Sequence, residues 1–246
     1  MGVLLRMITE LSKLGDALEG KDNAFINADC MEAMRSMPDQ SIDLAIVDPV
    51  YGGVRQGGYM KDDGGTQYGA ELAKRTVYHR AIWQQKKTPK EYFDELFRIS
   101  KNQIIWGGNY FTESICRDSQ GWIVWDKGRP EGVTFADGEL AWTSFDMALK
   151  IFRYRWNGML QEDMKNKEHR IHPCQKPIAL YEWILNKYAN TGDLILDTHT
   201  GGGSSIIACR NLNYRFIAFE IDQEYYSAAL ERFKNETAQM TIFNMA

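Results

Sequence analysis

The run from Leu194 to Glu220, LILDTHTGGGSSIIACRNLNYRFIAFE, restricts the fold more than any other part of the chain. An apolar strand, Leu194 to Leu196, ends at Asp197; Gly201, Gly202 and Gly203 form a turn; Ser204 opens a helix; and a second strand ends at Glu220. That order is the layout of a nucleotide-binding βαβ unit. In such a unit glycine lets a ligand approach the backbone, and an acid about 20 residues later accepts hydrogen bonds from ribose hydroxyls. Glu220 fills the acidic position. No Lys-Ser or Lys-Thr pair follows the glycines, so a phosphate-gripping loop is disfavoured and the ligand reads as a nucleoside without a polyphosphate.

The rest of the chain supports a sheet built around this unit. Short strand-like runs stand at 24–28, 42–47, 102–106, 122–125, 193–197 and 214–220. Between them, Thr88-Pro89-Lys90-Glu91 has capping-box spacing and opens a helix through Phe93, Leu96, Phe97 and Ile99. Pro177 opens another through Leu180, Trp183, Ile184 and Tyr188, and a last helix is expected over 223–236. Leu4, Met7, Ile8, Leu11, Leu14 and Leu18 recur at helical spacing and predict an amphipathic helix over 3–18. Alternating strands and helices imply a mainly parallel sheet covered on both faces. At 246 residues with 44% hydrophobic content, one domain over 1–246 is expected. Two regions interrupt it: a glycine-rich loop leading into a basic segment at 52–90, and strand-like pieces at 126–175 that read as an insertion. The four cysteines form no CxxC pair, which argues against a zinc site and a disulfide framework. Arg6, Glu10 and Lys13 interrupt the apolar start before it could serve as a signal-peptide core, and no run is long enough to span a bilayer. A cytoplasmic protein without membrane contact is the expectation.

The strand SIDLAIV, Ser41 to Val47, runs into Asp48-Pro49-Val50-Tyr51. This DPVY resembles the DPPY motif of amino-group DNA methyltransferases. DTHTGGGSS is similar to their S-adenosylmethionine loop, DPFAGSGTT, and HPCQKP, His172 to Pro177, resembles their HPTQKP. NADCMEAMRSMPDQSIDLAIVDPVYGG is similar to the family's run into the catalytic strand. The catalytic motif precedes the cofactor loop, as in the permuted β-type arrangement, and the resemblance covers roughly a third of the chain by the motif context required of it. It implies a Rossmann-like methyltransferase fold with a mainly parallel seven-stranded sheet and circularly permuted motifs. IIWGGNYF and GWIVWDKGRPEG look like phage-type adenine methyltransferases, so a bacterial cell or a phage-infected host is the implied setting.

The chemistry can be followed from the residues. The lone pair of an exocyclic base amine is delocalised into the ring, so a site that accepts its hydrogens on a carboxylate and a backbone carbonyl favours a tetrahedral, nucleophilic nitrogen. Asp48 and the carbonyl of Pro49 suit those tasks. A base paired inside a duplex has to be flipped out, and Tyr51 offers a face on which to stack it. By resemblance, S-adenosylmethionine is the cofactor and S-adenosylhomocysteine the product. Asp29 contacts the adenine; Asp197, Gly201, Gly203 and Ser204 line the methionine part; Lys176 pairs with the carboxylate; and Asp48 and His199 lie beside the cofactor. Val50 replaces the second proline of DPPY and removes a φ restraint. His199 stands where the family has phenylalanine, and a packing or backbone-bonded role is favoured over proton transfer. Cys174 follows a proline, as does the nucleophile of cytosine-C5 methyltransferases, but it sits inside the HPTQKP match and reads as structural.

A net charge of −4 does not announce nucleic acid, so contact has to come from local patches. Lys74, Arg75, Arg80, Lys86, Lys87 and Lys90 are interleaved with Tyr78, His79 and Trp83 and with no acid, which suits phosphate contact. KIFRYRW, Lys150 to Trp156, is a second patch whose aromatic face alternatively belongs to the core. The expected activity is adenine-N6 methylation of double-stranded DNA, with the 126–175 insertion choosing the target and a homodimer extending the surface. Cytosine-N4 methylation is the nearest alternative. A DNA-binding protein that holds cofactor without turnover is the other.

Overall fold

The computed structural model describes residues 7–52, 86–129, 136–157 and 160–243. Lys74, Arg75, Arg80 and most of the glycine-rich loop lie outside the described residues. The strands are β1 (Met7–Ile8), β2 (Asn23–Asn27), β3 (Ile42–Val47), β4 (Ser100–Trp106), β5 (Ile123–Asp126), β6 (Gly138–Thr143), β7 (Lys150–Arg153), β8 (Trp156–Asn157), β9 (Leu160–Gln161), β10 (Leu194–Asp197) and β11 (Arg215–Glu220). The helices are α1 (Leu14–Leu18), α2 (Cys30–Ser36), α3 (Lys90–Ile99), α4 (Thr112–Ile115), α5 (Ile178–Tyr188), α6 (Ser204–Asn211) and α7 (Gln223–Phe243).

Nine strands form one sheet in the order β1-β2-β11-β10-β3-β4-β6-β5-β7. From β1 to β4 every pairing is parallel; β6 runs antiparallel to both β4 and β5, and β5 and β7 are parallel. The expected count of seven is exceeded partly because Met7 and Ile8 pair with Asn23 and Ala24 as an edge strand. That pairing also corrects the helix expected over 3–18: sheet hydrogen bonds take Met7 and Ile8, and helix begins only at Leu14 after a 3₁₀ turn at Leu11–Lys13.

The central strands read as continuous apolar runs because both faces are buried. Ala45 and Val47 of β3, Leu194 and Leu196 of β10, and Ile217 and Phe219 of β11 pack with Met34 of α2 and Phe93 and Leu96 of α3. Leu44, Ile46, Ile195, Phe216 and Ala218 face the opposite way, onto Leu180 and Ile184 of α5 and Ile206 of α6. Asp43, the polar exception in β3, is accounted for: its carboxylate accepts from the Leu194 amide at 2.8 Å and from Lys101 at 2.6 Å. Burial works to raise its pKa, but those donors and Lys101's charge leave it below the usual value.

The connection from β3 leads through α3 to β4 on one side, whereas the connection from β10 leads through α6 to β11 on the other. The adjacent pair β10 and β3 is therefore a topological switch point, and the crevice beyond its carboxyl ends is where open α/β sheets hold ligands. Asp48 and Asp197 end these two strands. The strands in 126–175 are not set apart as an insertion, because β6 and β7 pair into the main sheet.

Candidate functional site

Asp48 emerges from β3 with both carboxylate oxygens engaged. The Tyr51 hydroxyl donates to Oδ1 at 2.5 Å, and the Lys176 ammonium donates to Oδ2. The turn is pinned from α3: the amide and hydroxyl of Thr88 both donate to the Val50 carbonyl, at 3.0 and 3.1 Å. Thr88 thus ties down the loosened DPVY turn instead of capping α3, whose N-cap is Pro89. The same bonds bring exposed Lys86 and Lys87 beside the motif, with the Lys87 ammonium 5.4 Å from the Phe111 ring centroid.

The Tyr51 ring stacks on Tyr110 at 4.9 Å and meets Phe111 edge-on. Its place depends on Gly107, which has φ 65°; a Cβ there would stand 2.1 Å from the Tyr51 ring. Gly107 of IIWGGNYF therefore makes room for the Tyr51 ring, whereas a Cβ on Gly108 would meet Trp142 at 2.5 Å. Burial, and then the neighbouring Asp48 charge, push the Tyr51 hydroxyl well above its ordinary pKa, so it stays a donor.

Lys176 is 4% exposed and was expected to meet a cofactor carboxylate. Its ammonium instead faces two carboxylates of the chain, Asp48 and, at 3.1 Å, Glu139 of β6. Lys127, just beyond β5, donates to the other oxygen of Glu139 at 2.5 Å. The indole of Trp106 lies 5.2 Å from the Lys176 ammonium. Burial opposes the charge on Lys176, but Asp48 and Glu139 outweigh it and hold the lysine protonated.

On the other side of the switch point, Asp197 accepts from the Ser205 hydroxyl at 2.5 Å and the His199 amide at 3.0 Å. Burial raises its pKa to about 7 despite those donors. His199 Nδ1 lies 2.9 Å from the Thr198 hydroxyl and its ring meets Tyr92 edge-on; burial lowers its pKa to about 4. These two side chains hold the His199 ring in place. Glu220 accepts from the Gly201 amide at 2.8 Å and the Asp222 amide at 2.9 Å, so it shapes the glycine turn while a lone pair on each oxygen remains. Asp222 caps α7, accepting from Glu224 and Tyr225. Asp29 is exposed, caps α2 through the Met31 amide, and follows Asn27, the sheet partner of Glu220.

The glycine turn is also shaped by protein contacts. A Cβ on Gly202 would stand 2.7 Å from Gln175 Oε1, and one on Gly201 3.1 Å from His172 Nδ1, so HPCQKP packs on the turn's outer side. Gly203 is left-handed at φ 79°. The Ser204 hydroxyl donates to the Lys176 carbonyl at 2.6 Å, which leaves its expected cofactor contact to the backbone. Arg232, unforeseen in the sequence, donates to the Gly202 carbonyl at 2.6 Å and to Glu168 at 2.6 Å. Its signal was present: Tyr225, Ala229 and Arg232 recur on the buried stripe of α7. Glu139 and Lys127 had only the weak signal of charges at strand ends. In KIFRYRW the aromatics turn inward: Phe152 packs on Trp183 at 5.3 Å and Trp156 is 5% exposed.

Asp29, Asp48, Asp197 and Glu220 thus line one sheet edge, an acidic, hydrogen-bond-accepting set that suits a ligand carrying cationic and hydroxyl groups. Among the described residues no group of three His, Cys, Asp or Glu could hold a metal, and no helix is long and apolar enough to cross a membrane.

The switch-point crevice and the mostly parallel sheet define a Rossmann-like α/β fold. Solved structures agree on that fold: the M1.HpyAVI–SAM complex aligns with TM-score 0.51 and 21% identity over 85% of this chain and 98% of its own. PvuII DNA methyltransferase, described as cytosine-N4-specific, aligns with TM-score 0.53 and 12% identity over 87% and 91%. The N6/N4 methyltransferase family described as DNA methylase matches residues 124–231. Type II methyltransferase M.HpaI of Haemophilus parainfluenzae is 27% identical over 87% of this chain and 75% of its own length. M2.DpnII of Streptococcus pneumoniae is 20% identical over 86% and 89%. The chain is thus similar over most of its length to type II DNA methyltransferases, and residues 124–231 match the N6/N4 methyltransferase family.

Proposed function

We propose that the chain is an S-adenosylmethionine-dependent DNA adenine-N6 methyltransferase acting on a base flipped out of double-stranded DNA. The observation that carries this reading is Asp48 at the end of β3, held by Tyr51 and Lys176 beside the acidic end of β10. Asp29 and Glu220 would hold the adenosine, and Asp197 with the turn from Gly201 to Ser204 the methionine part. His199 closes the wall beside them. When bound, the cofactor supplies an electrophilic methyl group on a cationic sulfur.

The chain's own residues do the rest. The Tyr51 hydroxyl leaves Asp48 Oδ1, which then accepts one hydrogen of the target amine. The Pro49 carbonyl accepts the other, and among the described residues no bond occupies it. Both contacts favour the tetrahedral nitrogen over the planar one and therefore strengthen in the transition state. The Tyr51–Tyr110 pair offers a stacking surface, and Lys86 and Lys87, with Lys74, Arg75 and Arg80, contact phosphates. Adenine is favoured because DPPY resembles adenine enzymes more often than cytosine enzymes. The type II relatives fit a restriction-modification setting.

Transfer of labelled methyl from S-adenosylmethionine to unmethylated duplex DNA, followed by nucleoside mass spectrometry, tests the reading. N6-methyladenine, abolished by Asp48→Ala, is expected. N4-methylcytosine would overturn the base assignment, and bound cofactor without any methylated base would favour a non-catalytic DNA-binding protein.

A further inference from the structure

Four charged side chains alternate in sign through the site: Asp48, Lys176, Glu139 and Lys127. Their side chains are 17, 3, 29 and 12% exposed. Lys176 touches both acids, and Lys127 touches only the outer one among the described residues. The chain of charges sums to zero. One cation therefore serves two carboxylates at its inner end, and Asp48 is only partly neutralised by it.

We infer that Glu139 is a positioning residue: by sharing Lys176 with Asp48 and balancing Lys127, it keeps the catalytic carboxylate an effective acceptor beside a cationic methyl donor. This rests on the methyltransferase reading above. Glu139 acts through Lys176 and is not itself expected to touch the base. Replacing it by a neutral group leaves two lysines against one acid, so the cluster becomes net positive. In a partly dry site such a charge is weakly screened and opposes any cation brought to Asp48. Burial alone would push Glu139 up, but Lys176 and Lys127 hold it ionised, consistent with that role.

S-adenosylmethionine and S-adenosylhomocysteine differ by one methyl group and one positive charge, so their affinity ratio reports this field without turnover. Calorimetric titration of both into the full chain is expected to show Glu139→Gln lowering the ratio about tenfold, the scale of one charge acting across such a site. Lys127→Met should raise it, and the double variant should return to the wild-type value. In single-turnover methylation, Glu139→Gln should slow transfer with the DNA KM unchanged, and Glu139→Asp should recover most of the rate. Equal losses for both ligands in Glu139→Gln, or a double variant whose ratio stays as low as that of Glu139→Gln alone, would reduce Glu139 to a structural prop and overturn the inference. If Glu139→Gln lacks a cooperative melt, Lys127→Met decides: an unmoved ratio overturns it. A wild-type chain that binds neither ligand sinks the methyltransferase reading. One that binds both and methylates DNA, with ratios unmoved in the variants, sinks only this inference.

Discussion

For the proposed reaction, Tyr51 and Asp197 are the residues at which the resting site would change. The Tyr51 hydroxyl occupies the Asp48 oxygen that the target amine would use. Its net hydrogen bond is worth about 1 kcal/mol, so Tyr51→Phe removes a competitor and keeps the stacking ring; kcat/KM is expected to rise severalfold in steady-state assays. Tyr51→Ala also removes the platform and should lose roughly 10- to 100-fold, the scale of one base–aromatic stack. Asp197 makes a pH prediction. Its folded pKa, about 7, lies above the ordinary 3.8 because of burial. The stabilising contribution of such a group is fully present below 3.8 and is lost as pH rises through 7, by roughly 4 kcal/mol at most. Urea denaturation should therefore find Asp197→Asn gaining on the wild type between pH 4 and pH 8. A cation bound beside Asp197 favours its ionised form, so wild-type affinity for S-adenosylmethionine should rise across pH 7.

Helix α7 reaches the glycine turn through one side chain. Arg232, 7% exposed, ties the Gly202 carbonyl and the Ser204 hydroxyl to Glu168, which in turn accepts the first amide of α5. Removing one partner of a buried pair strands the other, so Arg232→Met should lose about 3–5 kcal/mol and Arg232→Met with Glu168→Gln should recover much of it in thermal melts. Loss of cofactor affinity should persist in the double variant, because the Gly202 carbonyl stays unheld. Elements of this kind divide into those the sequence announces and those it does not. Strands β3, β10 and β11 and helices α3 and α5 were legible because burial on both faces writes apolar runs, and proline marks the helix starts. The helix over 3–18 was misread because edge pairing with β2 outweighs local periodicity at Met7 and Ile8. The strands β6 and β7 looked like an insertion because their pairings, β6 antiparallel to β4 and β5 and β7 parallel to β5, leave no local signature.

Across the whole molecule the same division holds for the candidate site. Asp48, Asp197, Gly201 and Glu220 were legible because each ends a strand or makes a turn on the chain's own local pattern. Glu139 and Lys127 were not, because their meaning comes from Lys176, which reaches them only in the folded sheet. Charge shows the matter at the largest scale. The chain carries −4 overall, so its mean field repels DNA, and binding has to arise where lysines gather near the catalytic turn. Lys86 and Lys87 are exposed there, held next to DPVY by the bond from Thr88 to Val50. Each phosphate neutralised releases condensed counterions, so log Kd against log salt should be linear, with a slope set by the number of contacts. Replacing Lys86 and Lys87 together by glutamine is expected to reduce that slope by about 2, weakening matched and unmatched duplexes alike. Fluorescence anisotropy at several salt concentrations measures it. An unchanged slope would remove these two lysines from the interface and place the phosphate contacts elsewhere on a net-negative molecule.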